Sequence, residues 1–246
     1  MEGFTSTGLV SLLVKKLEDV DPNLLVGITK PDPMRHAVEP DGLKRNLVDL
    51  VMQKHGPGLL ISVGQDLQVT DEVPVMAILS RSPEPYILAE KWMRLERYHH
   101  ASHRTIIENV GSHGWSCTRT SVEEPATLGE NCLIAGLLLG LVSVTGNREC
   151  YLQCNGQVIQ PADLPKVELG PHETFEKFKI LWRPSDKTEE MASDRIEVTA
   201  TGATLVENLA NLLSDDIGRS WKLCDAARAL GFSKRSLQRQ LTAQGR

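Results

Sequence analysis

The sequence lacks the features of a membrane protein, a secreted disulfide scaffold or a signal-bearing precursor. Its longest apolar run, residues 133–144, is too short to span a bilayer. The five cysteines are odd in number and irregular in spacing, which argues against a disulfide framework. Residues 8–14 are apolar, but no basic segment precedes them and Lys15 and Lys16 follow, so a signal peptide is not indicated. We therefore expect a soluble, cytoplasmic protein without membrane contacts.

The common catalytic motifs are also missing. The segment GSHGW at residues 111–115 lacks the lysine and the following Ser or Thr of a phosphate-binding loop. No G-x-S-x-G nucleophile elbow and no H-E-x-x-H metal motif occur. Acidic pairs such as Asp215-Asp216 stand in polar surroundings, where they are most simply solvated charges. The chain is therefore not expected to be an enzyme, and no cofactor is expected.

A group of histidines is the best candidate for a metal site. His99, His100, His103 and His113 lie close in sequence, with Cys117 not far beyond. His99 and His103 could converge on one ion, because they are four residues apart and would share a helix face. The simpler interpretation is a helix end in which histidines cap and donate hydrogen bonds. We favour that interpretation and predict no metal ligands.

Charge is unevenly distributed along the chain. The net charge is −5 overall, but residues 218–246 carry +6 and the remainder carries −11. A basic module attached to an acidic body is typical of a DNA-binding protein with a sensory domain. The polar segment at residues 185–202 predicts a linker between a domain at residues 1–184 and a C-terminal unit at residues 203–246.

The C-terminal unit contains the spacing of a helix-turn-helix. Ala227, Gly231 and Leu237 supply a small residue beneath a crossing helix, a turn glycine and an anchoring leucine. Ser233 is placed to cap the second helix, which buries Leu237 and Leu241. The other interpretation is a helical hairpin that packs on another part of the protein. The basic and amide-bearing side chains on the outward face of the second helix favour the interpretation as a DNA-binding motif.

This segment resembles the first helix-turn-helix of AraC/XylS-type transcription regulators. The signature A-x-x-L-G-[FY]-S-x-x-x-L-x-R-x-[LF]-x-x-x-G is matched at nine positions. They are Ala227, Leu230, Gly231, Phe232, Ser233, Leu237, Arg239, Leu241 and Gly245. Regulators of this family carry a second helix-turn-helix after the first. This sequence stops at Arg246, just past the first, so we expect weak unaided affinity for DNA.

The resemblance also implies which residues contact DNA. The base-reading positions of the family's first recognition helix fall on Arg235, Gln238 and Arg239. Lys234 is expected to contact phosphate, and Ser233 and Ser236 complete the predicted contact set.

The N-terminal residues predict an α+β domain with several helices and a short mixed or antiparallel sheet. Helices are indicated at residues 5–17, 41–54, 72–79, 83–98 and 131–144. A hairpin is indicated at residues 103–121, and further strands at 149–153 and 178–182. Residues 58–67 are either a short strand or a turn of buried helix. Asp41 is placed to cap a helix, residues 30–40 read as a proline-marked loop, and Trp92, Trp115 and Trp182 are interpreted as core or pocket-wall residues.

The helix at residues 131–144 is apolar nearly all round and is therefore expected to be buried. Gly136 and Gly140, one turn apart, would let another backbone approach it closely. The helix could floor a ligand cavity, but a filled core is favoured. Residues 80–104, with the segment that follows, are similar to the N-terminal ligand-binding region of some AraC-type regulators. That similarity implies a sensor or dimerisation domain, and no ligand-binding residue is predicted.

Two functions follow from the sequence. The main prediction is a sequence-specific DNA-binding transcription regulator, with an all-α helix-turn-helix subdomain, controlled by a small effector. Its predicted partners are double-stranded DNA, a small-molecule effector and a second copy in a homodimer, with RNA polymerase left open. The alternative is a ligand-sensing or dimerising module without independent DNA binding, which acts through mixed oligomers.

Overall fold

The computed structural model describes most of the first 183 residues and two helices near the C-terminus. The described residues are 4–32, 38–69, 74–82, 84–99, 102–110, 113–122, 124–170, 173–183, 205, 209, 212, 213, 221–230 and 234–243. The chain forms two compact units, Met1–Pro184 and Ser185–Arg246. The predicted linker, residues 185–202, lies outside the described residues.

Helices dominate the first half of the first unit. They are α1 (Thr7–Val20), α2 (Asp41–His55), α3 (Pro57–Ser62), α4 (Pro74–Ser80) and α5 (Pro85–His99). Leu9, Leu13 and Leu17 give α1 a buried stripe at helical spacing. The ambiguous residues 58–67 are helical, because α3 runs directly into a 3-10 segment at Val63–Val69.

Two details at the start of α2 differ from the sequence-based expectations. The predicted loop contains a strand, β2 (Val38–Pro40), which pairs antiparallel with β1 (Phe4–Ser6). Proline is tolerated there because it ends a short strand. Asp41 makes no capping hydrogen bond and is instead the first residue of α2. Its carboxylate contacts Lys44 at 2.7 Å and Arg45 at 2.9 Å, so ion pairing replaces the expected cap.

The second half of the first unit is a five-stranded antiparallel sheet. Its strands are β3 (His103–Glu108), β4 (Gly114–Ser121), β5 (Arg148–Cys154), β6 (Gln157–Ile159) and β7 (Lys177–Arg183). They lie in the order β3-β4-β7-β5-β6, so the last strand inserts between β4 and β5. The α+β class, the hairpin β3-β4 and the strands at β5 and β7 are confirmed.

A single buried helix, α6 (Leu128–Val144), packs against this sheet and the helices. It begins three residues earlier than expected because Thr127 and Glu130 form a reciprocal capping box. The tryptophans predicted for the core are buried, and the rings of Trp115 and Trp182 meet edge to face with centroids 5.6 Å apart.

The close approach at the helix glycines is confirmed. A Cβ added to Gly140 would lie 1.8 Å from the carbonyl oxygen of Gly64, and one added to Gly136 would lie 2.1 Å from that of Ile61. The backbone of α3 and the 3-10 segment therefore rests directly on the backbone of α6, with no side chain between them. We call this contact the glycine seam.

The second unit contains α7 (Leu223–Ala229) and α8 (Lys234–Ala243). Ala226, Ala227 and Leu237 form its buried core. Partly buried residues pack around that core: Leu205, Leu209, Leu212, Trp221, Leu223, Leu230 and Leu241. Residues 231–233 lie outside the described residues, so the predicted turn is not seen and a helix-turn-helix subdomain is not shown.

No helix within the described residues is long and apolar enough to cross a bilayer.

Candidate functional site

A network of buried charges surrounds the N-terminal end of α6. The Lys44 ammonium lies 2.7 Å from Asp41 Oδ1 and 2.8 Å from Glu130 Oε1. Arg119 Nη1 lies 2.8 Å from Glu96 Oε1, and both of these side chains are less than 5% exposed. Charges can be buried to this degree because each has an opposite charge and hydrogen-bond partners.

Neutral polar groups complete the pairing of Glu96 and Arg119. Glu96 accepts hydrogen bonds from the Thr105 backbone N–H at 2.6 Å and from its hydroxyl at 2.8 Å. Arg119 donates to Asn131 Oδ1 at 3.3 Å, and the Asn131 amide donates to the carbonyl oxygen of Thr174. The void inside the network measures about 10 Å³, which accommodates at most one water. The network therefore holds α5, β3, β4 and α6 together and leaves no room for a ligand larger than a water.

Protonation in this network follows from the balance between burial and pairing. Burial alone would raise the pKa of Glu130, but the Lys44 ammonium beside it keeps that pKa below its usual range. Burial lowers the pKa of Arg119, and the carboxylate of Glu96 acts in the opposite direction. Burial likewise lowers the pKa of His103, whose ring is also near Glu130, Arg119 and Lys44.

The lowered pKa of His103 predicts a pH-dependent stability. His103 Nε2 donates to the carbonyl oxygen of Glu124 at 3.2 Å, an arrangement that needs only the neutral ring. Below about pH 6.5 the unfolded histidine binds a proton that the folded one resists, so the free energy of unfolding should fall as the pH drops. His103→Gln keeps an N–H donor and should lose less stability than the wild type between pH 7.5 and 5.5 in urea titrations. Equal losses in the two proteins would contradict this assignment.

A cleft of about 330 Å³ opens along the C-terminal half of α6. One wall is α6 itself, through Gly136, Leu139, Gly140, Ser143 and Val144. The facing walls come from the 3-10 segment, from the start of β5 and from the residues after β6. They contribute Gly64, Gln65, Glu149, Cys150, Gln160 and Pro161. The glycine seam forms the floor, where three residues without side chains meet.

Local backbone geometry shapes the rim of this cleft. Gln65 donates to the carbonyl oxygen of Pro161 at 3.2 Å, which joins two of the walls. Glu149 has a φ of 50°, a left-handed conformation that costs energy in a residue other than glycine. It lies where the register between β5 and β7 shifts, between Arg148 and Tyr151. A bulge of this kind redirects a side chain, and here it places Glu149 at the cleft.

Cys150 is the thiol in the cleft wall. Its side chain is buried and donates to the carbonyl oxygen of Asn147 at 3.6 Å. Burial raises the pKa of Cys150 to about 12 and that of Cys154, which also lies near Glu173, to about 11. Both are therefore protonated near neutral pH and react slowly with electrophiles.

Alkylation rates should separate the cysteines. Cys224 is exposed, whereas Cys117, Cys132, Cys150 and Cys154 are buried. Iodoacetamide at pH 8 should modify Cys224 at least tenfold faster than any other cysteine, because the buried thiols are both shielded and protonated. Peptide mass spectrometry measures each rate, and unfolding in urea should equalise them. Fast native labelling of Cys150 would show that the cleft wall is open to reagents.

The structure leaves the predicted DNA contacts untested. Lys234, Arg235, Gln238 and Arg239 lie on α8 with exposed side chains. Ser236 belongs to the same helix, but its side chain lies outside the described part of the structure, as does all of Ser233. Their proposed contacts with DNA remain predictions. The sequence suggested a ligand cavity floored by α6 but favoured a filled core, and it predicted none of the residues that line the cleft. The signal that pointed toward it was the glycine pair of α6.

The histidine cluster is not assembled into a metal site in the described residues. His103 lies on β3 and is hydrogen-bonded to a backbone carbonyl, while the side chain of His99 lies outside the description. Within the described residues no group of three or more His, Cys, Asp or Glu side chains is placed to hold a metal ion.

Comparison with known proteins gives only distant structural similarity. No family model and no curated protein matches the chain. Among solved structures, one from a study of H-NOX activation is 14% identical, covers 74% of this chain and 96% of its own, and has a TM-score of 0.43. A mutant H-NOX from T. Tengcongensis, also 14% identical, covers 72% of this chain and 96% of its own, with a TM-score of 0.42. A third, from a study of heme distortion in the H-NOX family, has the same identity and TM-score and covers 72% and 94%.

These findings correct the main functional prediction. These three solved structures come from H-NOX studies, and none of the three is described as a DNA-binding regulator. The interpretation of this chain as a sequence-specific DNA-binding transcription regulator is therefore wrong.

Proposed function

We propose that the first unit is a ligand-sensing module that binds a small molecule in the cleft along the C-terminal half of α6. The observation that carries this proposal is the cleft itself. Its volume of about 330 Å³ lies within the range of known small-molecule pockets. Its lining combines apolar surface, from Leu139 and Val144, with a few polar groups such as Gln65 and Ser143. A pocket of this composition can bury a ligand and orient it.

The floor of the cleft supports a site that exists before ligand binds. The glycine seam is a contact between backbones, so its shape does not depend on flexible side chains. A preformed floor lowers the ordering cost of binding. The strained backbone of Glu149 at the rim is a second sign of function, because such strain persists only where the surrounding structure maintains it.

The position of α6 provides a route for a signal. The same helix borders the cleft with its C-terminal half and joins the buried charge network with Glu130 and Asn131 at its N-terminal end. A ligand that binds more tightly to one position of α6 than to another would shift the population toward that position. Because the network ties α6 to α2 and β4, that shift would reach both the helices and the sheet.

In this proposal, the second unit carries out the response to ligand binding in the first unit. We propose that this unit is an all-α helix-turn-helix subdomain of AraC-like sequence. The packing of α7 and α8 around Ala227 and Leu237 supports this. In this proposal it does not read DNA alone and acts through mixed oligomers. Sedimentation of the chain mixed with a full-length AraC/XylS-type regulator, with and without a ligand from the cleft, measures this association. Independent sedimentation of the two chains under both conditions would contradict it.

A thermal-shift screen with two cleft-blocking variants tests the sensing proposal. Ser143→Trp fills the cleft from α6, and Gln160→Trp fills it from the opposite wall. Gln53→Trp, on an exposed position of α2, is the matched control. Compounds present at about 100 times their Kd should stabilise the wild type and the control by roughly 2.7 kcal/mol. They should not stabilise the blocked variants. The proposal would be overturned if no compound of a diverse library stabilised the wild type. It would also be overturned if the stabilising compounds raised the melting temperature of Ser143→Trp and Gln160→Trp as much as that of the wild type.

A further inference from the structure

The charge on the described lining of the cleft is negative. Among the described residues that line it, Glu149 is the only one with a charged side chain, and it is acidic. The nearby Asp66, next to the lining residue Gln65, is paired with Lys16 at 2.8 Å. The lining therefore offers a carboxylate and several neutral hydrogen-bonding groups to a ligand.

The end of α6 adds negative potential to the same place. Ser143 and Val144, in the last turn of this 17-residue helix, both line the cleft, and that turn contains no basic residue. Aligned peptide dipoles give a helix C-terminus the equivalent of about half a negative charge. The carbonyl oxygens of Val142 and Ser143 accept local hydrogen bonds, which satisfy them individually but leave the summed dipole in place.

Arg183 forms an ion pair with the carboxylate of Glu149. Its Nη1 lies 3.1 Å from Glu149 Oε1, and both side chains are 69% exposed. An ion pair exposed to this degree contributes little, and its partners rearrange readily. Glu149 can therefore turn toward a ligand at small cost, while Arg183 remains in solvent.

From this arrangement we infer that the cleft selects a small organic cation, an ammonium group carried on an apolar body. The inference rests on the proposed function of the same cleft. The ammonium lies between Glu149 and the C-terminal end of α6, where it offsets both the carboxylate and the helix dipole. The apolar body packs on Leu139 and Val144, above the glycine seam. Carboxylates and phosphates bind more weakly, because the described lining supplies no cation to pair with them.

Three probes of similar shape test this selectivity: benzylammonium, benzyl alcohol and benzoate. Titrations followed by amide NMR shifts at Ser143 and Cys150 should show the tightest binding for benzylammonium, at least about tenfold tighter than for benzoate. Glu149→Gln should weaken benzylammonium severalfold and leave benzyl alcohol unchanged. Arg183→Gln, which frees the carboxylate, should strengthen benzylammonium. Both substitutions lie at exposed positions, so they should not prevent folding.

The outcomes distinguish this inference from the proposed function. Binding of all three probes with similar affinity, abolished by Ser143→Trp, would keep the cleft as a ligand site and overturn the preference for cations. The preference would also be overturned if benzoate bound more tightly than benzylammonium, or if Glu149→Gln left the affinity for benzylammonium unchanged. Absence of binding by all three probes would count against the cation preference and the ligand site together.

Discussion

Replacing Arg119 with methionine is expected to lower the free energy of unfolding by about 3–5 kcal/mol. The guanidinium is 4% exposed and its partner Glu96 is 2% exposed. Methionine fills much of the volume but leaves the carboxylate of Glu96 buried without a counter-charge. It also removes the hydrogen bonds that Arg119 donates to Thr105 and Asn131. Equilibrium unfolding in urea measures the loss.

Two further variants assign the effect to the uncompensated charge. Glu96→Gln combined with Arg119→Met should recover part of the loss, because a neutral amide is far less costly to bury than a carboxylate. Arg183→Ala removes an exposed ion pair and should cost no more than about 1 kcal/mol. If Arg119→Met cost as little as Arg183→Ala, the buried network would not hold the first unit together.

Replacing Gly136 with alanine is the second large effect expected. Alanine normally favours a helix over glycine by about 1 kcal/mol. Here its Cβ would lie 2.1 Å from the carbonyl oxygen of Ile61, a backbone atom that cannot rotate away. The segment from α3 to the 3-10 turn must move off α6, and overpacking of this kind typically costs about 1–3 kcal/mol, and sometimes more. Urea unfolding measures the difference.

Gly42→Ala is the matched control for this substitution. Gly42 also lies in a helix, α2, but an added Cβ there meets no atom within 4 Å. It should therefore be neutral or slightly stabilising. A stabilising Gly136→Ala would show that the glycine seam is not in close contact. A destabilised Gly136→Ala that still folds should also lose ligand-induced thermal shifts, because the floor of the cleft has moved.

Much of the fold could be predicted because it depends on local patterns. Residues 133–144 of α6 are apolar apart from Ser143, which predicted a buried helix, and its glycines, spaced one turn apart, predicted the close backbone contact. The β-branched residues of β3 and β4 predicted the hairpin. The three-residue strands β1, β2 and β6 were not predicted, because such short segments carry no periodic signal. β6 depends on the tight turn at Asn155 and Gly156, which have φ angles of 48° and 82°.

The charge network and the cleft depend on long-range contacts, which single-sequence patterns do not report. Lys44, Glu96 and Arg119 each look like ordinary surface charges in their own segments. They become buried partners only when α2, α5 and β4 meet around α6. The cleft likewise combines residues from four separate parts of the chain, and its rim depends on the bulge at Glu149.

The second unit illustrates a different limit. The spacing of Ala227 and Leu237 predicted two packed helices, and the structure contains both residues in a buried core. The step from that local motif to DNA reading was an inference about function, which a motif of packed helices does not determine by itself. Exposed basic residues on α8 are compatible with more than one kind of partner.

The most direct test of a sensing role is to locate a bound molecule. Amide NMR spectra of the protein with a compound that raises its melting temperature would map the contact residue by residue. We expect the largest shifts at Gly64, Gly140, Ser143 and Cys150, around the cleft, and smaller ones along α6 toward Asn131. Shifts confined to other surfaces, with the cleft residues unchanged, would contradict the assignment of this cleft as the sensory site.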